Sequence, residues 1–320
     1  MSTYANAGPP IAVSGIPSNF TVTKRAVHVA CWIALLLVVF PFALGALTTS
    51  FRVGMAVPDG ATTFGQTLWL YDWWNASFGI KLEHTHRLTG MILGIVILAL
   101  SIAIFFTEER AYIRWIGMLS LGLVIVQGML GRWRVDENDV WGREYATLHG
   151  SWAQLVLASL VALMVVTSKW WYDARRSTSP NATSIQRWSL GLVALTYLQI
   201  VVGAFYRHQS QGFYIHATIG YALFLVMLVT AFLIVLDDSA RKRLTVPLAI
   251  AFLGVFAQII LGNASALVYG DTPREFVTKI SNLQAFTTAG HQVVGSIFFA
   301  ATIVLAMASR RVLAQGNVEA

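Results

Sequence analysis

The chain has 320 residues, 56% of them hydrophobic and only 12% charged, and carries a net charge of +7. A soluble domain holds about 25% charged residues, and here the charges lie between apolar runs long enough to cross a bilayer, which excludes the soluble classes. The basic excess needs no nucleic-acid partner, because lysine and arginine in loops facing anionic lipid account for it.

Residues 1–25, rich in Gly, Pro, Ser and Ala, read as a disordered cytoplasmic tail. Apolar runs follow at 26–48, 84–106, 112–131, 148–167, 187–206, 214–236, 245–264 and 285–308, each near the ~20 residues of a helical crossing. The expected fold is an all-α polytopic membrane protein, its eight transmembrane helices forming two pseudo-symmetric four-helix bundles. The first would occupy 26–170 and the second 187–310, with a cytoplasmic linker at 171–186 and a tail at 311–320. An even number of spans puts both termini on one side. The basic clusters Lys24–Arg25, Arg175–Arg176, Arg241–Arg243 and Arg310–Arg311 assign that side to the cytoplasm. The first outer loop, 49–82, contains "FGQTLWLYDWWNASFGI", too aromatic for disorder and suited to lying on the bilayer or capping what lies beneath it. The single cysteine, Cys31, leaves no intramolecular disulfide and no cysteine set for zinc or iron–sulfur.

Two repeats run through the spans. The third, fifth and seventh end in "QGMLG", "QIVVG" and "QIILG", and the first has "PFALG" at the matching place. The even spans begin with "HRLTG" at His86, "HGSWA" at His149, "HATIG" at His216 and "HQVVG" at His291. Every even span runs inward, so the four histidines lie at one depth near the outer face. The small residue four positions on stands one turn below each histidine, on the same helix face. It clears room for a flat ligand or for a closely packed helix.

A lone histidine at a helix end is ordinarily an interfacial hydrogen-bonding group, and His28, His84 and His208 are read that way. Four in register point to metal or haem ligation. Zinc and copper sites recruit carboxylates or cysteines into compact clusters. Histidine pairs with small residues beneath them suit a planar macrocycle held from both faces, which gives two haem sites, one per half.

The combination resembles the haem A synthase family: eight spans in two related halves, four histidines in register, and Glu-x-x-His-Arg at Glu83, His86 and Arg87. The resemblance spans about 26–308. It implies oxidation of the C8 methyl of haem O to a formyl group, through a hydroxylated intermediate, in haem A biosynthesis for terminal oxidases. His216 and His291 would hold a haem b cofactor, His86 and His149 would receive the substrate haem O, and Glu83 would be the catalytic carboxylate. Arg87, Arg132, Arg134 and Arg143 are candidates for the substrate propionates. In the second half Gln292 follows His291, where Arg87 follows His86, so Arg207 and Arg274 are the candidates there. Haem O synthase and oxidase assembly factors become the implied protein partners, and the bacterial inner membrane the implied location. Many members carry a cysteine pair in the first outer loop, which this chain lacks. Two alternatives remain at this point: a di-haem b-type electron-transfer protein, and a haem carrier or chaperone. All four histidines on one side leave transmembrane electron transfer without an inner haem, and neither alternative needs Glu83.

Overall fold

The computed structural model describes residues 22–269 and 277–315. The expected tail at 1–25 lies almost entirely outside the described residues, as do Arg274 and the last five positions of the tail at 311–320. Among the described residues eight helical segments are long and apolar enough to cross a membrane, and sheet is almost absent.

The first crossing is broken into α1 (Val22–Leu37) and α2 (Val39–Ser50). Pro41 is the cause: it has no N–H to give the Leu37 carbonyl, and its ring crowds that carbonyl. The remaining crossings are α3 (Phe78–Thr107), α4 (Ala111–Asp136), α5 (Asn138–Thr167), α7 (Ala182–Gln209), α8 (Phe213–Leu236), α9 (Asp238–Leu267) and α10 (Asn282–Val312). A five-residue helix, α6 (Lys169–Asp173), follows α5.

Several helices outrun the apolar stretches that announced them. α3 begins at Phe78 rather than 84, and α5 at Asn138 rather than 148, with a kink at Trp141 inside its added turns. Hydropathy marks only the part of a helix that must sit in hydrocarbon; the polar turns beyond it are still helical. Glu83 and His86 are therefore embedded in α3, and the first outer loop ends at Ser77.

α5 and α10 form the middle of the molecule. Their most apolar windows are 61% and 50% buried within the protein, against 17–28% for the other crossings. Both are rich in Ala and Ser where they pack, which lets helix backbones approach, and Gln154 Nε2 donates to Ser296 Oγ across them at 2.9 Å. One apolar cluster surrounds Cys31, Ile97 and Leu160 and takes in Phe299 and Ile303 of α10. A second joins Ile185, Met227, Leu244 and Leu305. At the end of the bundle opposite the histidines, Ser177–Ser179 pairs in parallel with Leu313–Gln315.

Candidate functional site

Each of the four histidines is seated on a glycine of the crossing before it. A Cβ on Gly45 of α2 would lie 2.8 Å from His86 Cε1, and one on Gly131 of α4 would lie 3.0 Å from His149 Cε1. Gly203 of α7 stands in the same relation to His216 at 2.7 Å, and Gly262 of α9 to His291 at 3.2 Å. These are the final glycines of "PFALG", "QGMLG", "QIVVG" and "QIILG". The two sequence repeats are thus the two sides of one contact, in which a missing side chain makes room for an imidazole.

The residue that opens each odd-span motif also meets its histidine. Gln199 Nε2 donates to the His216 carbonyl at 2.8 Å and Gln258 Nε2 to the His291 carbonyl at 2.9 Å. Gln127 Nε2 lies 3.2 Å from both ring nitrogens of His149. Pro41 has no such side chain, and its carbonyl instead accepts from His86 Nδ1 at 2.9 Å. A carbonyl can only accept, so Nδ1 carries the proton and Nε2 is left with its lone pair free for a metal.

Of the two uses offered for the small residue below each histidine, the second half uses close packing. A Cβ on Gly220 would lie 3.1 Å from Gln199 Nε2, and one on Gly295 would lie 3.2 Å from Gln258 Oε1. Gly90, below His86, faces open space instead, because Pro41 supplies no amide to fill it.

The histidines come together in pairs. His86 and His149 have ring centres 6.3 Å apart with planes at 83°, and His216 and His291 are 6.2 Å apart at 89°. An imidazole nitrogen meets a metal at about 2 Å, and the ring centre lies about 1 Å behind that nitrogen. Two imidazoles on opposite faces of one metal therefore have centres about 6 Å apart. Nδ1 of both His216 and His291 is buried without a hydrogen-bond partner. Among the described residues no three His, Cys, Asp or Glu side chains gather into one metal cluster. Each pair is thus a two-nitrogen donor set, able to hold a metal that brings its equatorial ligands with it.

Glu83 is 3% exposed and fully engaged. Its Oε2 accepts from the Val57 N–H at 3.0 Å, and its Oε1 forms an ion pair with Arg87 Nη2 at 2.5 Å. Arg87 also donates to the backbone carbonyls of Asp59, Thr62 (3.1 Å) and Val57 (3.2 Å). The guanidinium expected to meet a propionate is thus committed to the outer loop. His84, on the same turn, is wholly buried; its Nδ1 meets Thr63 Oγ1 at 2.9 Å and its ring stacks on Trp73 at 5.9 Å. The charge concentrated in "EHTHR" is therefore largely an anchor for residues 57–73, with Glu83 one turn before His86 on α3. Asp59 completes the loop by accepting from Gly65 N–H (2.6 Å) and Thr62 Oγ1 (2.7 Å). These bonds hold its carboxyl below the usual carboxylate range.

Arg134 donates to the Gly54 carbonyl at 2.9 Å, and its charge acts on Glu83, His86 and His149. Of the four candidate arginines it is therefore the one whose charge reaches both histidines of the pair. Arg132 is mostly exposed and pairs with Asp136 at 2.8 Å, and Arg143 is exposed. Arg207 donates to the Ala46 carbonyl (3.0 Å) and Ser50 Oγ (2.8 Å) of α2, and its charge reaches His291. His28 is a structural contact between α1 and α5, with Nδ1 3.0 Å from Thr167 Oγ1.

The glycine seats and the glutamine contacts were visible in the sequence as repeats, but their roles were not. Only the contact across neighbouring helices shows that "G" in one motif answers "H" in the next.

Residues 75–216 match the family model COX15-CtaA, cytochrome oxidase assembly protein. The match contains Glu83, His86 and His149, ends at His216 and stops short of His291. The resemblance to the haem A synthase family holds over those residues. No curated protein matched the chain.

Proposed function

We propose, from the match of residues 75–216 to a cytochrome oxidase assembly family, that this chain is a haem A synthase, oxidising the C8 methyl of haem O to a formyl group in a bacterial inner membrane. The observation that carries the reading is the pairing of four histidines, each on its glycine, at a spacing that suits one haem iron per pair. We assign residues 187–310, with His216 and His291, to a haem b cofactor, and residues 26–170, with His86 and His149, to the substrate. The open space at Gly90 and the buried carboxylate of Glu83, one turn before His86 on α3, support that assignment. In the second half the corresponding space is filled by Gln258 and Gln199.

A haem bound between His216 and His291 would supply electron transfer, its potential tuned by burial and by the groups around its ligands. The chain's own residues would do the rest. His86, with Nδ1 tied to the Pro41 carbonyl, presents Nε2 in a fixed direction. Glu83, held by Arg87 and the Val57 N–H, stands ready to take protons released as the methyl becomes a formyl group, a four-electron change that takes up one oxygen atom and needs an external electron acceptor such as dioxygen. Arg134 is the best-placed cation for a substrate propionate. The loop anchored by Arg87 and His84 excludes bulk water from the outer face of the pair.

The test is co-expression with a haem O synthase, followed by extraction and chromatography of the haems. Haem A or its hydroxylated precursor should accumulate with the wild type. Glu83→Gln should suppress conversion while haem stays bound, since a glutamine oxygen can still accept from Val57. Limited proteolysis across 51–77 checks that the loop remains seated in the variant. Unchanged haem O with the wild type under aerobic, reducing conditions would defeat the proposal.

A further inference from the structure

The end of the bundle opposite the histidine pairs, cytoplasmic by its basic residues, holds a cavity of about 500 Å³ that the haem reading does not use. It lies among the start of α4, the end of α5 with α6, and the end of α10. Four arginines line it, Arg110, Arg176, Arg310 and Arg311, together with Trp171 and Tyr172, and no carboxylate does.

The four arginines divide into two kinds. Arg110 and Arg311 are built into the wall. Arg110 holds Glu108 through Nε and Nη2, both at 3.0 Å, donates to the Val166 carbonyl at 3.2 Å, and stacks 3.9 Å from the centre of the Tyr172 ring. Arg311 Nε donates to the Trp171 carbonyl at 2.9 Å. Arg176 and Arg310 are exposed, and neither forms an ion pair among the described residues. Glu108, two residues before the lining Arg110, is already occupied by it. Four like charges around one hollow repel one another unless an anion joins them.

The depth of the cavity bears on what that anion is. α6 carries Trp170, Trp171 and Tyr172 directly after the α5 crossing, and aromatic residues of this kind settle at headgroup level. Basic pockets between helices at that level recognise lipid headgroups. The guanidinium fork matches phosphate oxygens in pairs, and the volume falls within the roughly 300–1,000 Å³ of small-ligand sites. We propose that this cavity binds a phosphate group, carried by an acidic phospholipid headgroup or by a soluble phosphate, with Arg176 and Arg310 as its free charge contacts and Arg110 and Arg311 as its fixed wall. The proposal is independent of the haem reading.

The test uses the full chain, purified in neutral detergent and stripped of lipid. Retention of phosphatidylglycerol against phosphatidylcholine is measured by native mass spectrometry. Thermal unfolding is followed with inorganic phosphate against chloride at equal ionic strength. The double variant R176Q/R310Q is compared with R187Q/K242Q, which removes the same charge from the same end of the bundle. A lipid site gives preferential phosphatidylglycerol retention, weakened about thirty-fold by R176Q/R310Q from the usual attraction per surface arginine, and less than about threefold by the control pair. A soluble-phosphate site gives thermal stabilisation by phosphate in the wild type, lost in R176Q/R310Q, with no preference between the lipids. Equal losses in the two double variants, or no response of the wild type to either probe, overturns the proposal. Should R176Q/R310Q fail to fold, a wild-type preference that does not fall as salt rises overturns it equally.

Discussion

An imidazole resting on a glycine Cα has little freedom to retreat, and that rigidity is what an axial ligand needs. Non-bonded carbons prefer about 3.5–4.0 Å, so a methyl group 2.7 Å from His216 Cε1 must push the ring by about 1 Å. At Gly262, where the distance is 3.2 Å, a few tenths of an ångström suffice. Gly203→Ala should therefore weaken haem retention by about tenfold or more, whereas Gly262→Ala should cost less than about threefold; a displacement near 1 Å in a functional group can cost a hundredfold. Absorbance titration of the purified variants with haem reads the difference, and equal effects would show that the seats do not set ring position. The same scale explains why the contacts of Arg87 were not legible in the sequence. A helix wheel places it about 100° from His86, but cannot show that a loop about thirty residues upstream brings three backbone carbonyls to it.

At the scale of helices, ends were harder to read than middles. The apolar run at 84–106 located α3 but not its start at Phe78, because its first turns carry polar side chains. The N-terminus of α9 shows what fixes such an end. Asp237 accepts from the Ala240 N–H at 3.0 Å and from Ser179 Oγ at 2.6 Å, joining the helix cap to the strand at Ser177–Ser179. Burial alone would raise this carboxyl, but bonds from Ser179, Ala240 and Asn181 outweigh it and hold it below the usual range. Its stabilisation is therefore present above the unfolded carboxylate's titration and is lost as pH falls through the lower folded value. Asp237→Ala should cost about 1–2 kcal/mol near neutrality. The difference should shrink towards zero at strongly acid pH, as measured by thermal unfolding in detergent at a series of pH values.

At the scale of the whole molecule, the eight crossings were legible because bilayer thickness imposes a length on every apolar run. The central position of α5 and α10 was not legible. Their hydropathies of 1.8 and 1.9 fall inside the range of 1.7 to 2.7 shared by the others; lipid and protein interior are equally apolar, so hydropathy cannot tell a central helix from a peripheral one. Small residues are the better guide, since they permit close approach. The Gln154–Ser296 bond between the two central helices is the polar contact most exposed to test. In membranes such bonds average about 0.6 kcal/mol, so Gln154→Leu should lower stability by less than about 2 kcal/mol. A larger loss in thermal or denaturant unfolding would mean that this bond fixes the docking of the two helices rather than decorating it.

The seat beneath each histidine comes from the crossing immediately before it in the chain. Gly45 precedes His86, Gly131 precedes His149, Gly203 precedes His216 and Gly262 precedes His291. Each histidine is thus seated within one helical hairpin, by contacts local in sequence that form early and fast. A ribosome feeding this chain into a membrane would deliver four finished half-sites in order, the His86–His149 pair first. Only the meeting of hairpins, two at a time, would remain to be solved after synthesis.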